Sequence, residues 1–428
     1  MQRLGRHLQG FSTVVFCVDH TLKLITDAIV DHPAVRNVIA DIREFVTSAR
    51  ASPIIRAALK NVQTLAGVRN PKILIADVKT RWWSTYMMMT RVLEMKPYLS
   101  VDDPAFVTVV EFTRRMWSVC RAFVRVLKPL RDAQLLLEGS HYITISWVPS
   151  TLELIRQSLA DSYADLDNPQ SQLRADLRVS DVVASGVRSA VLAGREAFVY
   201  HYREPEMRLE CRRDTAKSRM CGIPTMAWLA QCCDPRNKHL TSYMDRNQEE
   251  KLWYMFLIEM GNMPITADVA RATDSSSDDD AVSPTPRRTP AGVQGESNHM
   301  LRQVQGFARQ PAPPAVRNVL ARGQALKLEL GKYRRHAPLD SHKNPLSWWR
   351  RHQDMYPTIA ALARQHLAVQ ATNAASERLN SEASNIVRAN RARLDPSTVE
   401  DLLILRGVYT YMDLHPQLAA AFQRRSGF

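Results

Sequence analysis

The fold prediction starts from residues 344–380, NPLSWWRRHQDMYPTIAALARQHLAVQATNAASERLN. Apolar positions at helical spacing predict a compact set of helices that begins here and continues to about residue 427, with a turn at Asp395-Pro396. The block has more large apolar side chains than so short a segment can bury by itself, so some must pack on a partner or on the core. These candidate dimerisation or core residues are Trp348, Trp349, Tyr356, Leu362, Leu367, Ile386, Leu394, Leu402 and Leu403.

Upstream of this block the pattern is mainly helical. The clearest helix is predicted over 104–138, and helical patterns continue through 147–260. Two short apolar runs, 11–17 and 73–78, predict buried strands, and Asp19 is placed to cap the helix that follows the first run. From 268 to 316 the sequence is rich in Asp, Ser and Pro and predicts a disordered linker.

Composition narrows the classes of partner. A formal charge of +14 and a pI near 9.7 favour a polyanion such as nucleic acid, although a basic surface kept for solubility explains the pI equally well. No apolar run approaches the roughly 20 residues of a membrane helix, so no membrane partner is expected. The cysteines form no C-x-x-C pair, which predicts neither a disulfide scaffold nor a zinc site.

Four motifs, in one order along the chain, resemble those of the hAT family of DNA transposases. The residues from Asn344 through Ser376-Glu377-Arg378 to Arg393-Leu394 resemble the family's C-terminal dimerisation region. The three motifs upstream are Cys17-x-x-His20-x-Leu22-x-Leu24, Asp77-x-x-Thr80-Arg81-Trp82-x-Ser84-Thr85 and Asp234-Pro235-Arg236-x-Lys238. The chain departs from the family pattern with Trp83 in place of Asn, Asn380 in place of Phe and Ser384 in place of Gly.

This resemblance implies a fold that is mainly α with a small α/β remnant, in which a partial ribonuclease-H-like core is interrupted by a large all-helical insertion. The corresponding domains are 1–100 for the partial core, 101–267 for the helical insertion, 268–316 for the acidic and Pro-rich linker, and 317–428 for the dimerisation domain that completes the core. The motifs begin at Cys17, so we expect a chain that is truncated at its N-terminus relative to the family.

The resemblance also implies a position for catalytic chemistry. Family members hold two divalent cations with three carboxylates, and Glu377 matches the last of these. The two aspartates lie upstream of C-x-x-H in the family, and the sixteen residues before Cys17 contain neither Asp nor Glu. One carboxylate does not hold a pair of hard cations, so Glu377 is interpreted as a vestigial ligand position, with no metal and no cofactor expected. In an active enzyme, Asp19, Asp27 or Asp77 would have to take the place of the two absent aspartates. Such an enzyme would need Mg²⁺ or Mn²⁺.

Two basic clusters are candidates for contact with DNA. Arg81 and Trp82 could hold a phosphate and stack on a base, or Trp82 could seal a helix onto the core. Arg388, Arg391 and Arg393 could touch phosphates, although solvation of exposed arginines is the default.

The sequence therefore predicts a nuclear, transposase-derived protein that dimerises or forms a higher oligomer, binds DNA nonspecifically if at all, and is not an enzyme. The first alternative is a functional DNA transposase, or a fragment of one, that cuts and joins DNA with two divalent metal ions. The second is a helical scaffold protein unrelated to DNA.

Overall fold

The fold is described from a computed structural model, in which the described residues are 17–78, 83–99, 114–139, 141–177, 181–202, 212–214, 219–239, 244–263, 314–387 and 394–414. These residues are mainly helical, as the sequence predicts. Two compact units are distinguished: one is formed by residues 1–227 together with 369–428, and the other by residues 228–368. The predicted linker at 268–316 lies almost wholly outside the described residues, as does the predicted strand at 11–17 apart from Cys17. The four-domain division stays a prediction.

The first unit is a set of helices around one long central helix. Its helices are α1 Val18–Val30, α2 Arg36–Ala51, α3 Pro53–Leu65, α4 Ser84–Met95, α5 Arg114–Leu137, α6 Val148–Asp165, α7 Gln172–Asp176 and α8 Asp181–Tyr202, with short 3-10 turns at Lys96–Tyr98 and Ile145–Trp147. Helix α5 packs on α1, α2, α4, α6, α7 and α8. Its buried positions recur at three and four residues, which matches the pattern that predicted a helix over 104–138, of which residues 104–113 lie outside the described part.

Helices α1 and α8 approach each other closely at a glycine. A Cβ atom added at Gly194 would lie 2.5 Å from Cγ1 and 2.6 Å from Cδ1 of Ile29, which is closer than packed carbon atoms allow. Ile25 and Ile29 are fully buried in this contact. Gly194 therefore sets the distance between α8 and α1, the helix that begins in the C-x-x-H motif.

The predicted strand at 73–78 is wrong. Residues 71–78 pair with no strand, and their backbone groups bond instead to side chains of neighbouring helices. Gln63 bonds both the N–H and the C=O of Lys72, Arg91 donates to Ile73 O at 2.7 Å, and Arg50 donates to Leu74 O at 2.8 Å. A short apolar run is compatible with burial in any extended form, and here helical side chains provide the hydrogen bonds that a sheet would supply.

The strands found in the described part form one small hairpin that the sequence did not suggest. Strand β1 Arg212–Asp214 pairs antiparallel with β2 Arg219–Cys221, with Arg212 opposite Cys221. A two-stranded hairpin is not a ribonuclease-H-like sheet, so the mainly α part of the fold prediction is confirmed while the α/β remnant is not.

The second unit is also helical. It comprises most of α9 Thr225–Cys233, then α10 Arg246–Asn262, α11 Pro314–Arg335, α12 Pro345–His352 and α13 Pro357–His366. Helix α10 packs on α11 and α13, and α12 packs on α13. Side-chain caps mark two helix starts: Asp245 accepts from Gln248 N at 2.8 Å, and Asn344 accepts from Leu346 N at 2.8 Å.

The chain returns to the first unit after residue 368. There α14 Ala374–Ile386 packs against α15 Pro396–Leu414. No helix in the described part of the chain is long and apolar enough to span a bilayer.

Candidate functional site

The C-x-x-H motif meets the segment that leads into α14. Val18 N donates to Ala371 O at 3.3 Å, and Asn373 N donates to Cys17 Sγ at 3.4 Å. The same segment is held from the other side, because Ala371 N donates to the Thr144 hydroxyl at 3.0 Å. Burial raises the pKa of the Cys17 thiol, which therefore stays protonated near neutral pH and serves as a hydrogen-bond acceptor. Two motifs that are more than 350 residues apart in sequence are thus neighbours in space.

Asp19 does not cap α1, contrary to expectation. The N-cap is Cys17, and Asp19 lies inside the helix with 1% of its surface exposed. Its Oδ1 has no hydrogen-bond partner. Burial, together with the nearby carboxylates Glu138 and Glu377, raises the pKa of Asp19 to about 8 despite a hydrogen bond from Thr372. Asp19 therefore carries a proton at neutral pH.

Glu377 lies in the first turn of α14, exposed to solvent and next to this buried acid. Burial, and to a smaller extent Glu377, raise the pKa of the nearby Glu138, against the opposing effect of Arg131 and Arg378. Arg378 also donates to Glu138 O at 3.2 Å. Of the three aspartates considered as substitutes, Asp19 is the one whose pKa Glu377 perturbs. Among the described residues, no group of three or more His, Cys, Asp or Glu is arranged to hold a metal ion.

The second motif is assembled around Asp77. Arg43 Nε donates to Asp77 Oδ2 at 2.6 Å, Thr85 Oγ1 donates to the same oxygen at 2.8 Å, and Ser84 donates to Oδ1. Burial raises the pKa of Asp77, but the bonds from Ser84, Arg43 and Thr85 outweigh burial and leave the pKa below its ordinary value. Both oxygens accept hydrogen bonds from neighbouring side chains, so Asp77 fixes the entry into α4.

Trp83 precedes α4 in the left-handed region, with φ of 61°. The family motif has Asn at this position, and Asn adopts this conformation far more readily than a bulky residue. The indole is 7% exposed, and the Arg131 guanidinium lies 6.0 Å from its ring centroid. Burial of a large ring offsets a backbone strain of about 1–3 kcal/mol. Arg81 and Trp82 lie outside the described residues.

The D-P-R-x-K motif is buried in the second unit. Arg236 donates two hydrogen bonds to Asp234, at 3.0 and 2.7 Å, and both side chains are almost fully enclosed. Lys238 Nζ donates to Tyr333 O at 2.5 Å and to His336 O at 2.6 Å. Burial lowers the pKa of Lys238 to about 8. Lys238 thus binds one carbonyl in the last turn of α11 and one just after the helix, where a cation also complements the helix dipole.

An aromatic cluster joins this motif to the block that opened the fold prediction. Tyr333 donates to Cys232 O at 2.9 Å, and Trp349 Nε1 donates to Cys233 O at 2.9 Å. Tyr333 lies 5.5 Å from the Trp349 ring, and Trp348 stacks on His352 at 4.0 Å. Five of the predicted apolar residues are enclosed in this unit: Trp348, Trp349, Tyr356, Leu362 and Leu367.

The remaining predicted apolar residues have a different environment. Leu402 is 38% exposed, while Ile386, Leu394 and Leu403 are partly exposed. Around them, further apolar side chains of α14, the residue after it and α15 face solvent: Leu379, Val387, Ile404, Leu405 and Val408. Arg388, Arg391 and Arg393 lie outside the described residues.

Comparison with known proteins agrees with the motifs. A profile of the hAT family C-terminal dimerisation region matches residues 329–408. Over these residues the chain resembles hAT family transposases. A second profile, of the ZBED1 RNase-like helical domain, matches residues 15–123. The hAT-like chain is also 22% identical over 413 residues to "Putative AC transposase" of Zea mays, covering 91% of this chain and 43% of that protein. It therefore spans less than half the length of this relative.

Sequence reasoning missed three roles in this hAT-like protein. Asp77 is bound by the Ser-Thr pair of its own motif, which the spacing of seven and eight residues to Ser84 and Thr85 could have suggested. Lys238 binds the end of a helix nearly 100 residues downstream. Nothing in a single sequence indicates that these two segments meet. The sequence indicates Asp19 both as a helix cap and as a possible companion of Glu377, but it contains no signal that the side chain is buried.

Proposed function

We propose that this hAT-like protein self-associates through the outer surface of α14 and α15, to which we assign Leu379, Leu402, Ile404, Leu405 and Val408 as the apolar face. The observation that carries the proposal is the exposure of this face within residues 329–408, the range that matches a dimerisation region. Leu402, Leu405 and Val408 recur every three residues along α15, so they line one side of the helix. Several exposed large apolar side chains on two packed helices are typical of an interface between subunits.

We further propose that the partner is a second copy of the chain. The aromatic residues of α12 are enclosed within their own unit, so they support the fold on which the apolar face is built. Helix α15 is held against α14 in part by the ion pair between Arg406 and Glu382, at 3.5 Å. The proposed interface is therefore small and apolar and lies at the C-terminal end of the described residues.

We propose that the described chain does not cut DNA. The carboxyl groups beside Glu377 support this: Glu138 is faced by two arginines, and Asp19 is enclosed in the helix packing. A functional transposase remains the second candidate, because Asp19, Glu138 and Glu377 do influence one another electrostatically. That candidate would need Mg²⁺ or Mn²⁺, whereas the first needs no cofactor.

Nonspecific DNA binding, a nuclear location and descent from a ribonuclease-H-like core also belong to the proposal. The charge of +14 supports a polyanionic partner, and the match of residues 15–123 to an RNase-like helical domain supports the descent. The nuclear location is proposed because DNA would be the partner.

Replacing Leu402 and Leu405 with Glu is expected to convert the dimer to a monomer at micromolar concentration. Two charges in an apolar interface would be desolvated without partners, which weakens association by at least tenfold. Size-exclusion chromatography with light scattering on the full chain measures the mass. The matched control replaces Leu65 and Leu154, which are 80% and 66% exposed elsewhere, with Glu. A wild-type monomer, or equal dissociation in both variants, would contradict the proposed face.

A nicking assay with Mn²⁺ on linear and hairpin DNA is expected to show no cleavage above the level seen without protein. The reason is that one exposed carboxylate, beside a buried Asp19 and a Glu138 that two arginines influence electrostatically, does not hold two cations. The control is Glu377→Gln, which should match wild type. Cleavage by the wild type that Glu377→Gln abolishes would establish the enzyme instead.

A further inference from the structure

The second unit contains a basic cavity that the proposed dimer face does not use. Its volume is about 330 Å³, and the basic residues that line it are Lys238, His239, Arg334 and Arg335. Among the described residues that line it, Glu249 is the acidic one. The cavity therefore has an excess of positive charge and is suited to an anion.

Arg334 is positioned for binding by two neighbours. Its guanidinium lies 5.1 Å from the Trp253 ring centroid, and one nitrogen is 3.7 Å from Glu249 Oε1. Trp253 Nε1 in turn donates to Glu249 at 3.2 Å, which fixes the carboxylate. An arginine held on one side by a ring and an acid presents its remaining N–H groups in a fixed fork, the geometry that matches phosphate oxygens. The side chain of Arg334 remains 41% exposed, so a ligand can reach it.

Gly331 lines the cavity beside Arg335. A Cβ added there would meet only the Arg335 guanidinium, at 3.6 Å and 3.9 Å, within ordinary contact distance. The Arg335 head group therefore lies over the helix surface at the position where another residue would carry a side chain. Lys238 also lines the cavity, and its side chain is enclosed by the surrounding residues. Its amino group donates hydrogen bonds to Tyr333 O and His336 O.

We propose that this cavity binds a phosphodiester group of nucleic acid, with Arg334 and Arg335 as the contacting residues and Trp253 and Glu249 as positioning residues. The inference rests on the proposed nonspecific DNA affinity and assigns it a site. Extended nucleic acid is favoured over a free phosphate because the same unit carries further basic residues, Lys332 in the last turn of α11 and Arg350 and Arg351 in the last turn of α12. A backbone of repeated phosphates can engage several of these cations at once.

The test measures binding of the full chain to a fluorescein-labelled duplex of arbitrary sequence by anisotropy, at several salt concentrations. The variant Arg334→Gln/Arg335→Gln is expected to weaken binding about tenfold and to lower the slope of log affinity against log salt by about one to two. The charge-matched control is Arg56→Gln/Lys60→Gln on the exposed side of α3 in the other unit, which should alter binding less than twofold.

A second pair of variants separates binding from folding. Gly331→Glu places a carboxylate beside Arg335 while raising helix propensity, so it should weaken binding as much as the double arginine variant without loss of thermal stability. Gly331→Ala should leave binding unchanged. Inorganic pyrophosphate serves as the probe for a free-phosphate site and should compete no better than NaCl of equal ionic strength.

The outcomes distinguish the inference from the broader proposal. Wild-type DNA binding that is unaffected by both the arginine variant and Gly331→Glu would overturn the site while leaving DNA affinity intact. No DNA binding by wild type would overturn both the site and the proposed DNA affinity. Pyrophosphate that competes specifically, and whose binding the arginine variant removes, would assign the cavity to a small phosphate ligand instead.

Discussion

Replacing Asp19 with Asn is expected to stabilise the protein at pH 7–8 by a few kcal/mol and to leave its stability near pH 4 almost unchanged. The wild-type carboxyl has a folded-state pKa of about 8, well above the value of about 3.9 in an unfolded chain. The folded state therefore binds the proton more tightly. Its contribution to stability is fully present below pH 4 and is lost as the pH rises through 8.

The size of the effect follows from the same linkage. Holding one carboxyl protonated at pH 7 against an unfolded pKa near 3.9 costs at most about 4 kcal/mol. Asn has the same shape and no proton to hold, so it removes this cost. The measurement is the free energy of unfolding from urea titrations, taken every half unit from pH 4 to pH 8.5. Between pH 4 and pH 7 this free energy should fall by up to about 4 kcal/mol more for wild type than for Asp19→Asn.

The control is Asp27→Asn, two turns further along α1, where the side chain is 38% exposed and paired with Lys23. A pair this exposed contributes little, so the control should follow wild type within about 1 kcal/mol at every pH. If the difference between Asp19→Asn and wild type did not change with pH, the buried acid would be charged in the native state and its placement in α1 would be wrong.

Replacing Trp349 with Ala is expected to lower the free energy of unfolding of the second unit by about 3–5 kcal/mol. The indole is 6% exposed, lies 4.8 Å from Trp348 and 5.5 Å from Tyr333, and bonds Cys233 O. Its removal leaves a cavity and an unsatisfied carbonyl at the join between the D-P-R-x-K motif and α12. Amide hydrogen exchange should report the loss within residues 228–239 and 326–367.

Trp349→Phe is the matched variant, since it keeps most of the packing and loses chiefly the bond to Cys233 O. It should cost about 1–2 kcal/mol. Both losses should be the same at two protein concentrations, because the side chain packs within its own unit. If Trp349→Ala changed only the dissociation of the dimer and left hydrogen exchange unaltered, Trp349 would belong to the dimer interface and not to the core of the second unit.

Helical periodicity was the dependable part of the sequence. The spacing of Val119, Phe123, Val126 and Leu130 predicted α5, and these residues are buried in it. The apolar run at 73–78 was ambiguous in principle, because burial alone does not distinguish a strand from an extended segment bonded by side chains. Arg50 and Arg91, which bond that segment, lie on other helices, and no periodicity in the segment itself could reveal them.

The candidate site was predictable as motifs but not as contacts. The resemblance to the family identified Glu377 and the D-P-R-x-K residues as motif positions. The hydrogen-bond partners of Lys238 and the burial of Asp19 depend on how distant segments pack, which the motifs do not reveal. The block from Asn344 onward was expected to act as one dimerisation domain. Its aromatic residues are enclosed in the second unit, whereas α14 and α15 belong to the first.

The contact between Cys17 and Asn373 has a consequence for synthesis on the ribosome. The first unit needs residues from both sides of 228–368, so its N-terminal helices emerge long before the segment that completes them. At about 5–20 residues per second, roughly 140 intervening residues delay completion by about 7–28 s. During that interval Thr144 lacks its partner Ala371, and apolar surfaces of the first unit stay exposed to solvent. We therefore expect incomplete chains to bind chaperones. Transcripts that end before codon 369 should yield a product that is degraded quickly.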